Sequence, residues 1–421
     1  MRPKLQLLKT EGNIGGADVT ARPSILMVLY ANPDYYPPTF NAVGILSKHF
    51  DIRIVCRKMD PEFRRWPANV AIERLGAYAS AANKQNQSTG AKLREFAMFA
   101  GAVHERIRTN RPRLIYAYDA HALSAVMWHL RKSAAPIIFH AHEVADPDRF
   151  RITSPGSWIV KFALRSINSA ALTVFPDKRR AQAMLKRAQD SREPMIVPNY
   201  PARNFASEID VERLVDRRFA ERRAIYIGPV APDNGHLEAA LAIRRVDPPA
   251  TLDFVGWASP STFVSQVRAA GGDHVSTTGW LSEYEKTKRL ESASLGLCLY
   301  KPVSVNWEHC ATASNKIFEY AACGLPVVVP DRADFREALG REQWIEFADV
   351  NVPDSIAAAI TKTLANRSRY ISSSRAARRR FERALNYEIA FAPLLEKILE
   401  ITGSGRDPGA QPSREPPRLA V

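Results

Sequence analysis

Ser314-Asn315-Lys316-Ile317-Phe318-Glu319-Tyr320 is the stretch whose residue types and spacing could do the most specific chemistry. Ser314 or Asn315 can cap a helix and leave its first backbone N–H groups aimed outward. Such a helix end attracts anions, phosphates above all. Lys316 adds a positive charge at the same end. Glu319 stands one turn further in, where a carboxylate can accept two hydrogen bonds from a vicinal diol such as a ribose. A phosphate-facing helix tip with a diol-binding acid behind it outlines a nucleotide-sugar site. Gly324 is placed to stop the helix, and Pro326-Val327-Val328-Val329 reads as a short buried strand.

A second group of reactive side chains lies in the amino half. Asp119 and His121 follow the run Leu114–Tyr118, and His142 and Glu143 follow the run Pro136–His140. Both runs read as strands, so these side chains sit just past strand ends and point at a cleft. There they could orient hydroxyls and stabilise developing charge; as structural residues they would serve buried neighbours instead. Two histidines and a glutamate could also hold a metal. His140, still inside its strand, reads as a supporting residue. Asn32 to Thr39 carries Tyr35, Tyr36, Pro37 and Pro38, whose aromatic faces suit stacking on sugar rings. The other reading is a proline-stiffened loop beside the core.

The elements that must position these groups are legible as alternation. Apolar runs at 25–30, 52–56, 114–118, 136–140, 171–175 and 195–198 are separated by helical patterns at 40–48 and 92–108 and by a polar loop at 79–90. The alternation restarts at 224–228 and continues through 252–256, 275–279, 295–300 and 327–329. Strands alternating with helices predict α/β domains on mainly parallel sheets. The expected boundaries are a flexible arm at 1–22, an amino domain at 23–202, a carboxyl domain at 203–402 and a disordered tail at 403–421, with a linker near Asn199 to Asp216. The last helix, about 376–400, opens with Arg375, Arg378, Arg379, Arg380 and Arg383, a solvated basic face or a contact for anionic lipid.

The chain has 421 residues, a net charge of +15 and a pI near 9.7, a balance that favours anionic partners. It shows no helix-turn-helix, RNA-stacking or zinc motif, so nucleic acid is not the expected partner. No Gly-x-Gly-x-x-Gly follows a first strand, which argues against a dinucleotide-dependent dehydrogenase. Cys56, Cys298, Cys310 and Cys323 have no metal-ligand spacing and predict no disulfide framework. The polar start does not read as a signal peptide, and no run approaches the roughly 18 apolar residues of a spanning helix. A cytoplasmic protein is expected, with attachment to the inner face of a membrane as the alternative.

Residues 314–331 strongly resemble the donor-binding signature of GT-B glycosyltransferases, in particular the retaining glycosyltransferase family 4. The resemblance extends over most of the carboxyl half, through Tyr226-Ile227-Gly228, Asn234-Gly235-His236, Leu252–Trp257 and Thr278–Ser282. It implies two Rossmann-like domains facing across a cleft, with a final helix docking back on the first. It assigns the donor to Ser314, Asn315, Lys316 and Glu319, to the glycine-bordered turn of Gly228 and Gly235, and to Trp257 and Trp280 beside the base. The family commonly has a basic residue before the second glycine; here it is Asn234, so Lys301 or Lys316 must supply that charge. Members often carry another glutamate eight positions before the one matched by Glu319; here that position is Ala311. The resemblance gives His142, with Asp119 and Glu143, to the reacting face and Tyr35, Tyr36 and His121 to the acceptor. No metal or other cofactor is implied, because a helix end and basic side chains neutralise the diphosphate.

The expected function is transfer of a hexose-type sugar from a UDP or GDP donor to a saccharide or lipid-linked acceptor, with retention, in surface polysaccharide or glycoconjugate synthesis. The alternatives are a nucleotide-sugar epimerase of the same fold and a catalytically degenerate partner protein that binds a nucleotide-sugar.

Overall fold

A computed structural model describes residues 22–59, 64–76, 88–128, 135–146, 154–258 and 260–404. The expected arm and tail lie outside these residues, apart from Arg22, Gly403 and Ser404, as does most of the polar loop at 79–90.

The amino half builds a seven-stranded sheet from β1 (Ser24–Leu29), β2 (Asp51–Arg57), β3 (Val70–Leu75), β4 (Leu114–Tyr118), β5 (Ile137–His140), β6 (Leu172–Phe175) and β7 (Met195–Ile196). Its order is β3-β2-β1-β4-β5-β6-β7, and every pairing is parallel. Helices cover both faces, so the central strands are apolar throughout rather than alternating. Met27, for example, lies level with Ile54 on one side and Tyr116 on the other, all fully buried.

The carboxyl half builds a second parallel sheet from β8 (Arg223–Ile227), β9 (Thr251–Val255), β10 (Val275–Gly279), β11 (Leu295–Leu297), β12 (Val327–Pro330) and β13 (Ile345–Ala348), in the order β10-β9-β8-β11-β12-β13. Each sheet reverses its order beside its first strand, between β1 and β4 and between β8 and β11. Crevices form at such switch points, beyond the carboxyl ends of the strands. The loops that begin at Tyr30, Gly228 and Cys298 and the helix that begins at Asp119 therefore converge on one cleft.

Three elements depart from the sequence reading. β3 and β13 are additional edge strands. The expected linker shortens, because Val211–Glu221 is a helix capped by Asp210, whose carboxylate accepts from the Arg213 N–H at 3.1 Å. Its Val211 and Leu214 pack into the second core.

The basic run belongs to the second half of the helix Arg367–Arg383, not to the start of the last helix. Arg375 pairs with Glu212, Arg378 with Glu382 and Arg380 with Glu342, at 2.6–2.7 Å. Arg375 and Arg380 tie this helix to other parts of the chain and Arg378 pairs within it, so these three do not form an open basic face. The last helix, Tyr387–Thr402, returns to the amino domain, where Tyr387, Phe391, Leu394 and Ile398 join the core beneath β1, β2 and β4.

Candidate active site

The helix Asn315–Ala322 aims its amino end into the cleft. Ser314 is its N-cap residue, yet its hydroxyl makes no capping bond. It turns inward to Tyr300 Oη at 3.2 Å. The first-turn N–H groups keep no side-chain acceptor, and Asn315 Oδ1 is buried without a partner. The far end of the helix is held by cations, as the helix dipole favours. The fully buried Arg218 donates to Cys323 O at 2.8 Å, and Arg378 donates to Ala322 O.

Lys316 lies between two phenols. Its Nζ donates to Tyr300 Oη at 2.7 Å and to Tyr226 Oη at 3.1 Å, and stands 4.4–4.5 Å from both ring centres. Burial raises both tyrosine pKa values, so both rings stay neutral. Among the described residues no carboxylate pairs with Lys316. Its charge is held by cation–π contact and neutral oxygens, and it lines the cleft. Gly228, at φ +133°, gives it room; a Cβ there would sit 3.4 Å from the Nζ. Glu319 also lines the cleft at 9% exposure, and among the described residues its carboxylate accepts no hydrogen bond. Tyr320 anchors this turn from behind, accepting the Ile227 N–H at 2.9 Å.

Across the cleft stands His142, 5% exposed. Its ring is stacked on Tyr118 at 5.0 Å and covered by Tyr36 at 4.8 Å. Asp119 grips it twice. Its Oδ1 accepts the His142 backbone N–H at 2.7 Å, and its Oδ2 lies 3.0 Å from Nδ1. Nε2 meets Thr39 Oγ1 at 3.2 Å. Asp119 holds a left-handed backbone, φ +62°, which costs a non-glycine residue about 1–2 kcal/mol and which Asp tolerates better than most. Burial pushes its carboxyl pKa up, but the His142 ring and the N–H groups of His142 and Glu143 outweigh this and leave it below the ordinary range. His140, behind them, is fully buried and bonded to Tyr116 Oη at 2.8 Å; burial drives its pKa well down, so it is neutral.

Two cavities meet here. One of about 510 Å³ is lined from both domains, by Tyr35, Tyr36, His142 and Glu143 on one side and Gly228, Ser314, Asn315, Lys316 and Glu319 on the other. A second, about 450 Å³, lies within the amino domain against Tyr36, Asp119, His121 and Glu143. Glu143 lines both. His121 is stacked on Tyr30 at 5.5 Å.

Four expected donor residues lie away from the larger cavity. Lys301 is bound to Glu238 at 2.7 Å, which leaves Lys316 as the cation beside the glycine turn. Gly235 packs beneath Leu299, where a Cβ would lie 3.0 Å from the carbonyl oxygen. Trp257 and Trp280 are 55% and 60% exposed and do not line the cavity.

Sequence reasoning missed Arg180 and Asn306 and placed Asn199 only at the start of the linker. Arg180 lines the cavity and donates to His142 O, Asn306 O and His309 O at 2.5–2.8 Å. Asn199 bonds Ala313 O at 2.9 Å. Their partners are main-chain carbonyls, which leave no mark in a sequence.

Residues 221–366 match the family described as glycosyl transferases group 1. The carboxyl-terminal domain is a group 1 glycosyltransferase domain. Such glycosyltransferases have the GT-B fold and use nucleotide-sugar donors. Solved structures agree on that fold over both halves. A sucrose-phosphate synthase from Thermosynechococcus elongatus aligns with TM-score 0.67 at 14% identity, covering 91% of this chain and all of the other. HepE from Anabaena, solved with UDP and glucose, gives 0.63 at 16%, over 90% of this chain and all of HepE. WaaG, a glycosyltransferase involved in lipopolysaccharide biosynthesis, gives 0.64 at 11%, again over 90% and 100%. No curated protein matches the chain by sequence. Gly228 and Ser314 to Glu319 fall within the matched residues of the glycosyltransferase domain; Asp119 and His142 fall outside them.

Proposed function

We propose that this chain transfers a hexose-type sugar from a UDP- or GDP-sugar to a saccharide or lipid-linked acceptor, with retention, in surface polysaccharide or glycoconjugate synthesis. The observation that carries the reading is one pair of side chains one helical turn apart, at a helix end, facing His142: among the described residues the carboxylate accepts no hydrogen bond, and the ammonium is held by neutral phenols with no carboxylate partner. Glu319 takes the ribose hydroxyls. Lys316 and the free N–H groups of the helix take the diphosphate, and Asn315 Oδ1 offers an acceptor beside them. The HepE structure, solved with UDP and glucose, supports a uracil nucleotide.

In the reaction the bond between the sugar C1 and the diphosphate oxygen breaks and a bond from C1 to the acceptor oxygen forms. The acceptor proton passes to the leaving diphosphate on the same face of the sugar. Lys316 stabilises the charge left on that diphosphate. His142, fixed by Asp119, Thr39 and two tyrosine rings, orients sugar or acceptor hydroxyls. The cavity beside Asp119, His121 and Glu143 takes the acceptor. This second cavity favours a transferase over an epimerase, which needs no acceptor.

Calorimetry with UDP and GDP, on the wild type and Glu319→Ala, tests the donor site. One nucleotide should bind, and the variant should bind it roughly ten- to a hundredfold more weakly, as charge-assisted hydrogen bonds of about 1.5–3 kcal/mol require. Absence of binding by either nucleotide at high micromolar concentration would sink the reading.

A further inference from the structure

One wall of the cleft is built across the domain boundary. Asn306, 8% exposed, belongs to the carboxyl domain's segment between β11 and the donor helix. Its Oδ1 accepts the Val144 N–H at 2.7 Å, and its Nδ2 donates to Val144 O at 3.2 Å. One side chain thus imitates a strand partner for a residue of the other domain. Arg180, 7% exposed, completes the seam from the amino domain. It binds His142 O at 2.8 Å on its own side and Asn306 O and His309 O on the other, both at 2.5 Å. Thr312 adds a bond to Asp177 Oδ2 at 2.7 Å.

The backbone of His142 to Val144 is therefore fixed from two domains. Asp119 takes the N–H of His142, and also that of Glu143 at 3.4 Å. The N–H and C=O of Val144 go to Asn306 alone. Both peptide groups would be stranded in a cleft without it, and an unmet buried polar group is costly. Arg180 is itself buried with no carboxylate partner among the described residues, so its charge depends on these carbonyls.

We infer that Asn306 and Arg180 are positioning residues that make the His142–Val144 loop conditional on the carboxyl domain. The inference rests on the donor site proposed above. Residues 301–316 run without interruption from the seam to Lys316. A nucleotide that steadies Ser314 to Lys316 steadies Asn306, and through it the loop that presents His142 and Glu143. The acceptor side is then complete only when the donor side is occupied, which keeps water from taking the sugar.

The test is backbone hydrogen exchange of residues 141–146 in the full chain, for wild type, Asn306→Ala and Asn306→Asp, with and without saturating UDP or GDP. In Asn306→Ala these amides should exchange at least tenfold faster than in wild type. Asn306→Asp keeps the acceptor for Val144 N–H and should fall between. Nucleotide should slow exchange in wild type and have no effect in Asn306→Ala, while the nucleotide Kd changes less than threefold. Wild-type exchange rates at 141–146 in Asn306→Ala would overturn the inference, as would an equal nucleotide response in both proteins. Failure of the wild type to bind either nucleotide removes the donor reading and the coupling with it, whereas the nucleotide-free exchange still decides whether Asn306 positions the loop.

Discussion

At the scale of single residues, the cleft is defined by charges the protein leaves unanswered. Lys316 is the clearest, because two neutral phenols hold its ammonium without cancelling it. Lys316→Gln should weaken UDP or GDP binding at least tenfold while leaving the weaker binding of the free nucleoside unchanged, a contrast that calorimetry with both ligands checks. Equal losses for both would place the lysine at the base or ribose instead. Glu319 and Lys316 were legible in the sequence because a helix start, a basic residue and an acid one turn on form a local pattern. Lys301 was not separable from Lys316 by sequence, since its partner Glu238 stands 63 positions away. The exposure of Trp257 and Trp280 was equally out of reach. It depends on how far a strand end projects past its neighbours.

At the scale of elements, the glycine turn after β8 owes its shape to His236. Its Nδ1 lies 2.9 Å from both the N and the O of Ala231, and its ring packs on Tyr226 and Phe254. Burial, and next the Lys316 charge, lower its pKa from 6.5 to about 3. The folded ring stays neutral while the unfolded ring takes up a proton near 6.5. Stability from this residue is full above pH 6.5 and is lost as the pH falls towards 3. Denaturant unfolding at pH 7 and pH 5 should show a loss in wild type that shrinks in His236→Asn. The strand-helix alternation was legible because buried parallel strands are apolar throughout. β3 and β13 escaped because edge strands keep polar residues, here Glu73, Arg74 and Glu346. The helix Val211–Glu221 was hidden by its charges, although Asp210 was a usable cap signal.

At the scale of the whole molecule, some of the basic side chains are committed to ion pairs between elements, as Arg375 is to Glu212 and Arg380 to Glu342, while the excess of +15 lies beyond such pairs. Among the described residues no helix is long and apolar enough to cross a membrane. The two domains are joined by the chain twice, after β7 and again before Tyr387, whose N–H binds Pro201 O at 2.9 Å. Phe391 on the returning helix is fully buried under the first sheet. Phe391→Ala should cost about 3–5 kcal/mol and lower the amino domain's resistance to proteolysis before that of the carboxyl domain. The return of the last helix was expected from the family resemblance; its partners came only from the fold. That return also orders the protein's biosynthesis. The amino domain leaves the ribosome first, but one face of its core waits for residues 387–402, which are made after the carboxyl domain. The amino domain is thus finished only after the carboxyl domain has been made, and the carboxyl domain can close before it.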